Sequence, residues 1–159
     1  MLRAIAVAPS GRWPHQAAAT VTLGYDDRHR RRVVLTADNG MRFLLDLPET
    51  TLLHEGDGLR LEDGSWLAVR AADEDLVEVT APLGDALVRF AWHLGNRHLP
   101  ADLGAGRILI RDDHVIVDML RHLGASVRRV RAPFNPERGA YQGLQAHHHH
   151  DHGHGHDHE

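Results

Sequence analysis

The chain has 159 residues, 42% of them hydrophobic, enough for one ordinary core or two small ones, and carries a net charge of −4 with histidine neutral. Cysteine is absent, which excludes disulfides, thiolate nucleophiles and Cys-based zinc or iron–sulfur sites, so any metal must be held by nitrogen and oxygen. All 18 basic residues are Arg, and over residues 1–146 they meet 19 acids for a net of −1, which leaves no electrostatic footprint for nucleic acid.

The first residues, MLRAIAVAPSGRW, contain too short an apolar run for a secretory signal, and no run of eighteen apolar residues occurs anywhere in the chain. The expectation is a cytoplasmic protein with no membrane partner. Residues 1–72 read as a small β-rich domain with a role in gripping a peptide or partner, because TVTLGY, RRVVLTA, RFLLDL, GLRLED and SWLAVRA are short β-prone runs separated by turn residues. DNG at 38–40 and EDGS at 62–65 each place Gly where a tight hairpin needs positive φ, which predicts an antiparallel barrel or sandwich. RHRRR, Arg28 to Arg32, falls between two strand-like runs and predicts a solvated hairpin turn rather than a phosphate site.

From residue 73 the period changes. DLVEVTAP reads as a strand, and Leu83, Leu87, Phe90, Ala91 and Leu94 recur at helical spacing until Gly95 and Asn96 stop the pattern. ADLGAGRILIRD reads as two strands around Gly104 to Gly106. DDHVIVDMLRHLG is a second amphipathic helix with Val115, Ile116, Met119, Leu120 and Leu123 inward and Gly124 as its stop, and SVRRVRAPF is a last strand. The order βαββαβ over residues 73–140 predicts a ferredoxin-like domain, two helices on one face of a four-stranded antiparallel sheet, and an α+β fold class for the chain. Residues 141–159 read as a flexible tail, since Gly, Gln and His bury too little apolar area to offset chain entropy.

That tail carries the strongest chemical signal. Eight of the 15 histidines lie within it: His147, His148, His149, His150, His152, His154, His156 and His158. Interleaved Gly and Asp distinguish it from an unbroken purification tag. Imidazoles with flanking carboxylates suit Ni²⁺, Zn²⁺, Cu²⁺ or Co²⁺ rather than Ca²⁺ or Mg²⁺. His98, in WHLGNRHLP, follows a helix stop and precedes Pro100, which projects its ring from a surface loop, whereas His93 lies within the helix. In RDDHV, Asp112 or Asp113 is the expected N-cap, with metal ligation as the alternative, and His114 follows them. His122 suits the negative end of the helix dipole. There is no H-E-x-x-H, nucleophile elbow or phosphate-binding Gly loop, so no enzyme is expected.

WHLGNRHLP, DHVIVDMLRHLG, APFNPERGAY and the His-rich end, in that order after an N-terminal β domain, resemble the UreE family of urease accessory nickel chaperones. The resemblance spans essentially the whole chain. It implies a homodimeric metallochaperone that hands Ni²⁺ to the urease apoprotein complex through a UreG-like accessory GTPase. It also implies that His98 is the central ligand and comes from both subunits. Some members carry a His-x-His pair at the DDH position; here the first member is Asp112 and only His114 remains. The alternative is a His-rich store or buffer for Ni²⁺ or Zn²⁺ without specific delivery.

Overall fold

In the computed structural model, residues 1–82 and 84–139 are described, and two β-sheets organise them. The first unit contains β1 (Arg3–Ala8), β2 (Ala19–Leu23), the single-turn helix α1 (Tyr25–Arg28), β3 (His29–Thr36), β4 (Arg42–Leu52), β5 (Gly58–Leu61) and β6 (Trp66–Ala71). Its six strands run in the order β2-β6-β5-β1-β4-β3. Gly40 and Gly64, both at φ +87, close the β3–β4 and β5–β6 hairpins where the sequence placed them. The expectation of a purely antiparallel architecture is corrected, because β1 pairs β4 and β2 pairs β6 in parallel. Period-2 alternation tells which face a residue occupies but not which distant strand lies beside it. β1 itself, RAIAVA, was not among the expected strands. Phe43, Leu45, Leu59, Leu61, Leu67 and Val69 form the centre of this unit's core.

The second unit contains β7 (Asp73–Thr80), α2 (Gly84–Asn96), β8 (Asp102–Gly104), β9 (Arg107–Arg111), α3 (His114–His122) and β10 (Ser126–Pro133). Its sheet order is β10-β7-β9-β8, and each neighbouring pair is antiparallel. Alternation divides the faces. Val77, Val79, Ile108 and Ile110 pack with Phe90 and Leu94 of α2 and Val117 and Leu120 of α3. Leu76 and Leu109, on the opposite face, pack with Tyr25 and Leu52 of the first unit and with Phe134. This sheet therefore lies between its own helices and the neighbouring unit. No helix among the described residues is long and apolar enough to cross a membrane.

One expectation about the helices is corrected. Val115 and Leu123, read as inward, are 61% and 40% exposed, while Val117 is buried. The helix begins only at His114, so Val115 falls in its first turn and Leu123 at its cap, leaving Ile116, Val117, Met119 and Leu120 as the packed stripe. α2 ends at Asn96, within the Gly95–Asn96 stop the sequence predicts. Leu83, expected inward, lies outside the described residues.

RHRRR is not a solvated turn. Arg30, Arg31 and Arg32 lie in β3, and Arg28 ends α1 with its side chain fully buried. Its guanidinium donates to the carbonyls of Leu23 (3.0 Å), Leu53 (3.0 Å) and Phe134, and lies 3.7 Å from a Glu74 carboxylate oxygen. Burial lowers the Arg28 pKa from its ordinary value, and Glu74 opposes that shift. A run of five cationic or imidazole side chains carries no pattern to show which one turns inward. Alongside it, Arg138 pairs with buried Asp57 at 3.0 Å and donates to His54 Nδ1 at 2.9 Å, while His54 Nε2 is 2.9 Å from the Pro136 carbonyl. Residues 134–138 thus tie the second unit to the first.

Candidate metal centre

α2 ends in a turn that places His98 by backbone hydrogen bonding alone. The His98 amide donates to the Gly95 carbonyl at 3.0 Å, and the Leu99 amide reaches back to the Leu94 carbonyl at 3.2 Å. These are the two bonds of a Schellman motif, which requires the residue between them and the helix cap to adopt left-handed backbone. His98 occupies that position at φ +55. Leu99 packs into the cluster that contains Leu94, which is the apolar contact that accompanies the motif.

Left-handed backbone costs a residue with a Cβ about 1–2 kcal/mol, which is why Gly usually occupies this place. The fold meets that cost for an imidazole that is solvent-exposed and belongs to no core cluster. Exposed His15 also lies at positive φ, +57, so left-handed backbone alone does not single out His98, which stands apart by its place in the Schellman turn at the end of α2. His93, half-buried within α2, has its ring edge-on to Trp92, with centroids 5.0 Å apart, and its carbonyl accepts from Arg97. Packing accounts for it.

The second candidate is occupied with structural work. Asp113 is the N-cap of α3, its Oδ1 accepting from the amides of Val115 (3.0 Å) and Ile116 (3.3 Å). Asp112 pairs with Arg129 at 3.0 Å. His114, the first residue of α3, is exposed and borders a cavity of about 120 Å³ whose lining includes Asp112, Asp118, Arg121 and Arg129. Asp118 faces Arg121 at 3.9 Å, so both acids of that lining already have an Arg partner. His122 is exposed in the last turn of α3, as its proposed dipole role requires.

The described residues contain no group of three or more His, Asp or Glu side chains placed to hold one ion. His98 therefore brings a single ligand from within this part of the chain, and an ion bound there needs others. The eight tail histidines, His147 to His158, lie outside the described residues. The last described segment does return to this turn: the Glu137 amide donates to the Ala101 carbonyl at 2.9 Å and the Asn135 amide to Asp102 Oδ2 at 3.1 Å. Sequence reading missed this link, because a contact between Ala101 and Glu137 has no local signature.

Comparison with known proteins agrees with this architecture. Residues 2–72 match the model of the UreE urease accessory protein N-terminal domain, and residues 74–159 match that of its C-terminal domain. A urease accessory protein UreE from Beijerinckia indica subsp. indica is 48% identical over 149 residues, which cover 93% of this chain and 86% of that protein. One from a Chelativorans species is 56% identical over 127 residues, 80% of each chain.

Proposed function

Because the chain belongs to the UreE family of urease accessory proteins, we propose that it binds Ni²⁺ and delivers it during assembly of the urease active site. It is an accessory protein and not an enzyme by the name its relatives carry. The observation that carries the reading in this chain is His98, an exposed imidazole kept in left-handed backbone where Gly would cost less. Nickel is the cargo, and neutral imidazole suits it; Zn²⁺, Cu²⁺ and Co²⁺ compete for the same ligands.

A homodimer supplies the ligands that one chain lacks. On α2, Val88 and Trp92 lie one turn apart and are 72% and 64% exposed, on the face opposite buried Phe90 and Leu94. A second copy packed over this ridge by a two-fold axis buries both apolar side chains and brings two His98 turns toward each other. The tail histidines complete the shell, helped by the return of residues 135–137 to the segment after His98. Ligands shared between chains make an open, reversible site, which suits transfer. His114 is a secondary ligand in this scheme.

The surrounding reading follows from the same premise. The chain comprises a partner-binding β domain over 1–72, a ferredoxin-like metal-binding domain over 73–140 and a His-rich tail over 141–159. The β-α-β-β-α-β order and the antiparallel β10-β7-β9-β8 sheet support the second of these. The partners are a UreG-like accessory GTPase and the urease apoprotein complex, met in the cytoplasm. Nickel titration of the full chain and of a chain lacking residues 147–159, with mass measured in solution, tests the scheme. Deletion should lower the number of ions bound yet leave at least one per dimer. A truncated protein that binds none would make the tail the whole site and favour storage over delivery.

A further inference from the structure

β10 plays no part in the nickel reading, and it is an outermost strand of the second sheet, paired with β7 alone. The parity of the ladder shows which of its backbone groups face outward. Gly104 and Arg107 flank the two-residue turn Ala105–Gly106 of the β8–β9 hairpin and so form a hydrogen-bonded pair. Bonded and non-bonded pairs alternate in an antiparallel ladder. Asp102/Leu109 is therefore bonded, which directs Ile108 and Ile110 to β7, makes Val79/Ile108 and Val77/Ile110 bonded pairs, and directs Leu76, Glu78 and Thr80 to β10. Arg128, Val130 and Ala132 face β7 in turn, and the N–H and C=O groups of Val127, Arg129 and Arg131 point out of the sheet. Pro133, which has no N–H to give, falls in the outward set, as an edge strand requires. Elsewhere the sheet margins are occupied. The Ala101 carbonyl, outward at the β8 edge by the same parity, accepts from Glu137 at 2.9 Å, and in the first sheet the Asp38 amide, donating to the Thr20 carbonyl at 2.8 Å, joins the end of β3 to β2. Among the described residues no strand pairs with the outward groups of β10, and no turn or loop backbone bonds to them.

We propose that this edge of β10 docks an extended acidic segment of another protein, taken up as an added strand. Backbone groups at Val127, Arg129 and Arg131 supply the ladder, as in other strand-addition complexes. Charge selects the occupant. β10 carries Arg128, Arg129 and Arg131 and no acid. The carboxylates that pair with the first two lie further in: Glu78, 2.8 Å from Arg128, is 19% exposed against 72%, and Asp112, 3.0 Å from Arg129, is 39% exposed against 84%. Arg131 pairs with Asp75 at 3.1 Å. Guanidinium thus forms the outermost layer of the edge, and a group with five N–H donors that meets one carboxylate can take a second. A cavity of about 120 Å³ between β10 and α3 adds a socket. His114, Asp118 and Arg121, one flank of α3 at i, i+4 and i+7, line it with Val127 and Arg129. A carboxylate placed beside Arg129 on the helix face of the added strand meets Arg121 and Arg129 there; Asp112 and Asp118 border the same space, each already held by one of those Arg side chains. On the other face Val130 and Ala132 pack with Phe134, which suits apolar residues at alternate positions. A second copy of the same edge would set Arg against Arg, so the charges that deter self-pairing admit a strand bearing carboxylates. This surface is separate from His98 and stands or falls independently of nickel.

The test uses the full chain and a fluorescein-labelled, end-blocked octapeptide of alternating Glu and Val, followed by anisotropy at low salt without metal, with an alternating Lys and Val octapeptide as control. The Glu peptide binds and the Lys peptide does not. Arg129→Ala removes a cation and keeps the outward amide, whereas Arg129→Pro removes both without breaking a β10–β7 bond. Arg129→Pro should therefore bind about fivefold more weakly than Arg129→Ala, the loss expected when one strand-to-strand hydrogen bond goes. Arg129→Glu combined with Arg131→Glu should abolish binding of the Glu peptide. Should Arg129→Pro fail to fold, amide exchange in the unmodified chain decides: saturating peptide slows exchange at Val127, Arg129 and Arg131 and leaves Arg128 and Val130 unchanged. No binding of the Glu peptide, equal binding of the Lys peptide, equal affinity in folded Arg129→Pro and Arg129→Ala, or no slowing at the three amides overturns the proposal. So does tighter binding of a single-stranded RNA octamer that does not distinguish Arg129→Pro from Arg129→Ala, or a concentration-dependent mass increase that Arg129→Pro abolishes, which would make the occupant a second copy.

Discussion

α2 and α3 close with the same pair of backbone hydrogen bonds, yet the residue each places in left-handed backbone is different. At the end of α3, Gly124 donates to Arg121 at 3.0 Å and Ala125 to Leu120 at 2.9 Å, with Gly124 at φ +95. At the end of α2, His98 and Leu99 make the equivalent bonds to Gly95 and Leu94 at 3.0 and 3.2 Å, with His98 at φ +55. Gly has no Cβ to strain, so the turn after α3 is set by stability alone. The turn after α2 retains a side chain that stability would remove. Under the proposed nickel reading, one turn of this kind is purely structural and the other presents a ligand.

Three substitutions sharpen that contrast through stability in urea, in descending size. Gly124→Val forces a β-branched residue into left-handed backbone and should cost about 1–2 kcal/mol. Asp113→Ala removes the side-chain cap at the other end of α3 and should cost about 1 kcal/mol. His98→Gly should act in the opposite direction. Relief of about 1–2 kcal/mol of backbone strain exceeds the roughly 0.4–1 kcal/mol of added unfolded-state entropy, leaving a gain near 0.5 kcal/mol. A loss of stability in His98→Gly would show that the two turns are not equivalent and that His98 contributes packing.

The sequence made the two hairpin glycines, the α2 stripe and the exposed His98 loop legible, because each rests on residues a few positions apart. It did not reveal that His98 is the left-handed residue itself. Gly95 and Asn96 looked like the helix stop, being the commoner residues at that place, although Leu94 and Leu99 carry the apolar pair that a Schellman turn brings together. The parallel pairs β1–β4 and β2–β6 were beyond reach because alternation does not specify a distant partner. Arg28 was misread for a related reason. Its burial depends on carbonyls of Leu23, Leu53 and Phe134, which only the folded chain gathers at one place. The tail histidines were conspicuous in composition, and composition alone does not say which of them meets His98.

Under the proposed function, the strained position after α2 is held for a metal. Calorimetric titration of the full-length His98→Gly chain with Ni²⁺, beside the unmodified chain and His93→Ala, tests it most directly. Loss of a ligand contributed twice at a two-fold axis should weaken the tightest binding class by on the order of 100-fold or more, since even partners behind a ligand change affinity by 10–100-fold. His93→Ala should keep that class, and the tail should continue to take up ions weakly in all three proteins. Unmodified tight affinity in a folded His98→Gly dimer would contradict the account, and would leave the left-handed histidine without the role assigned to it.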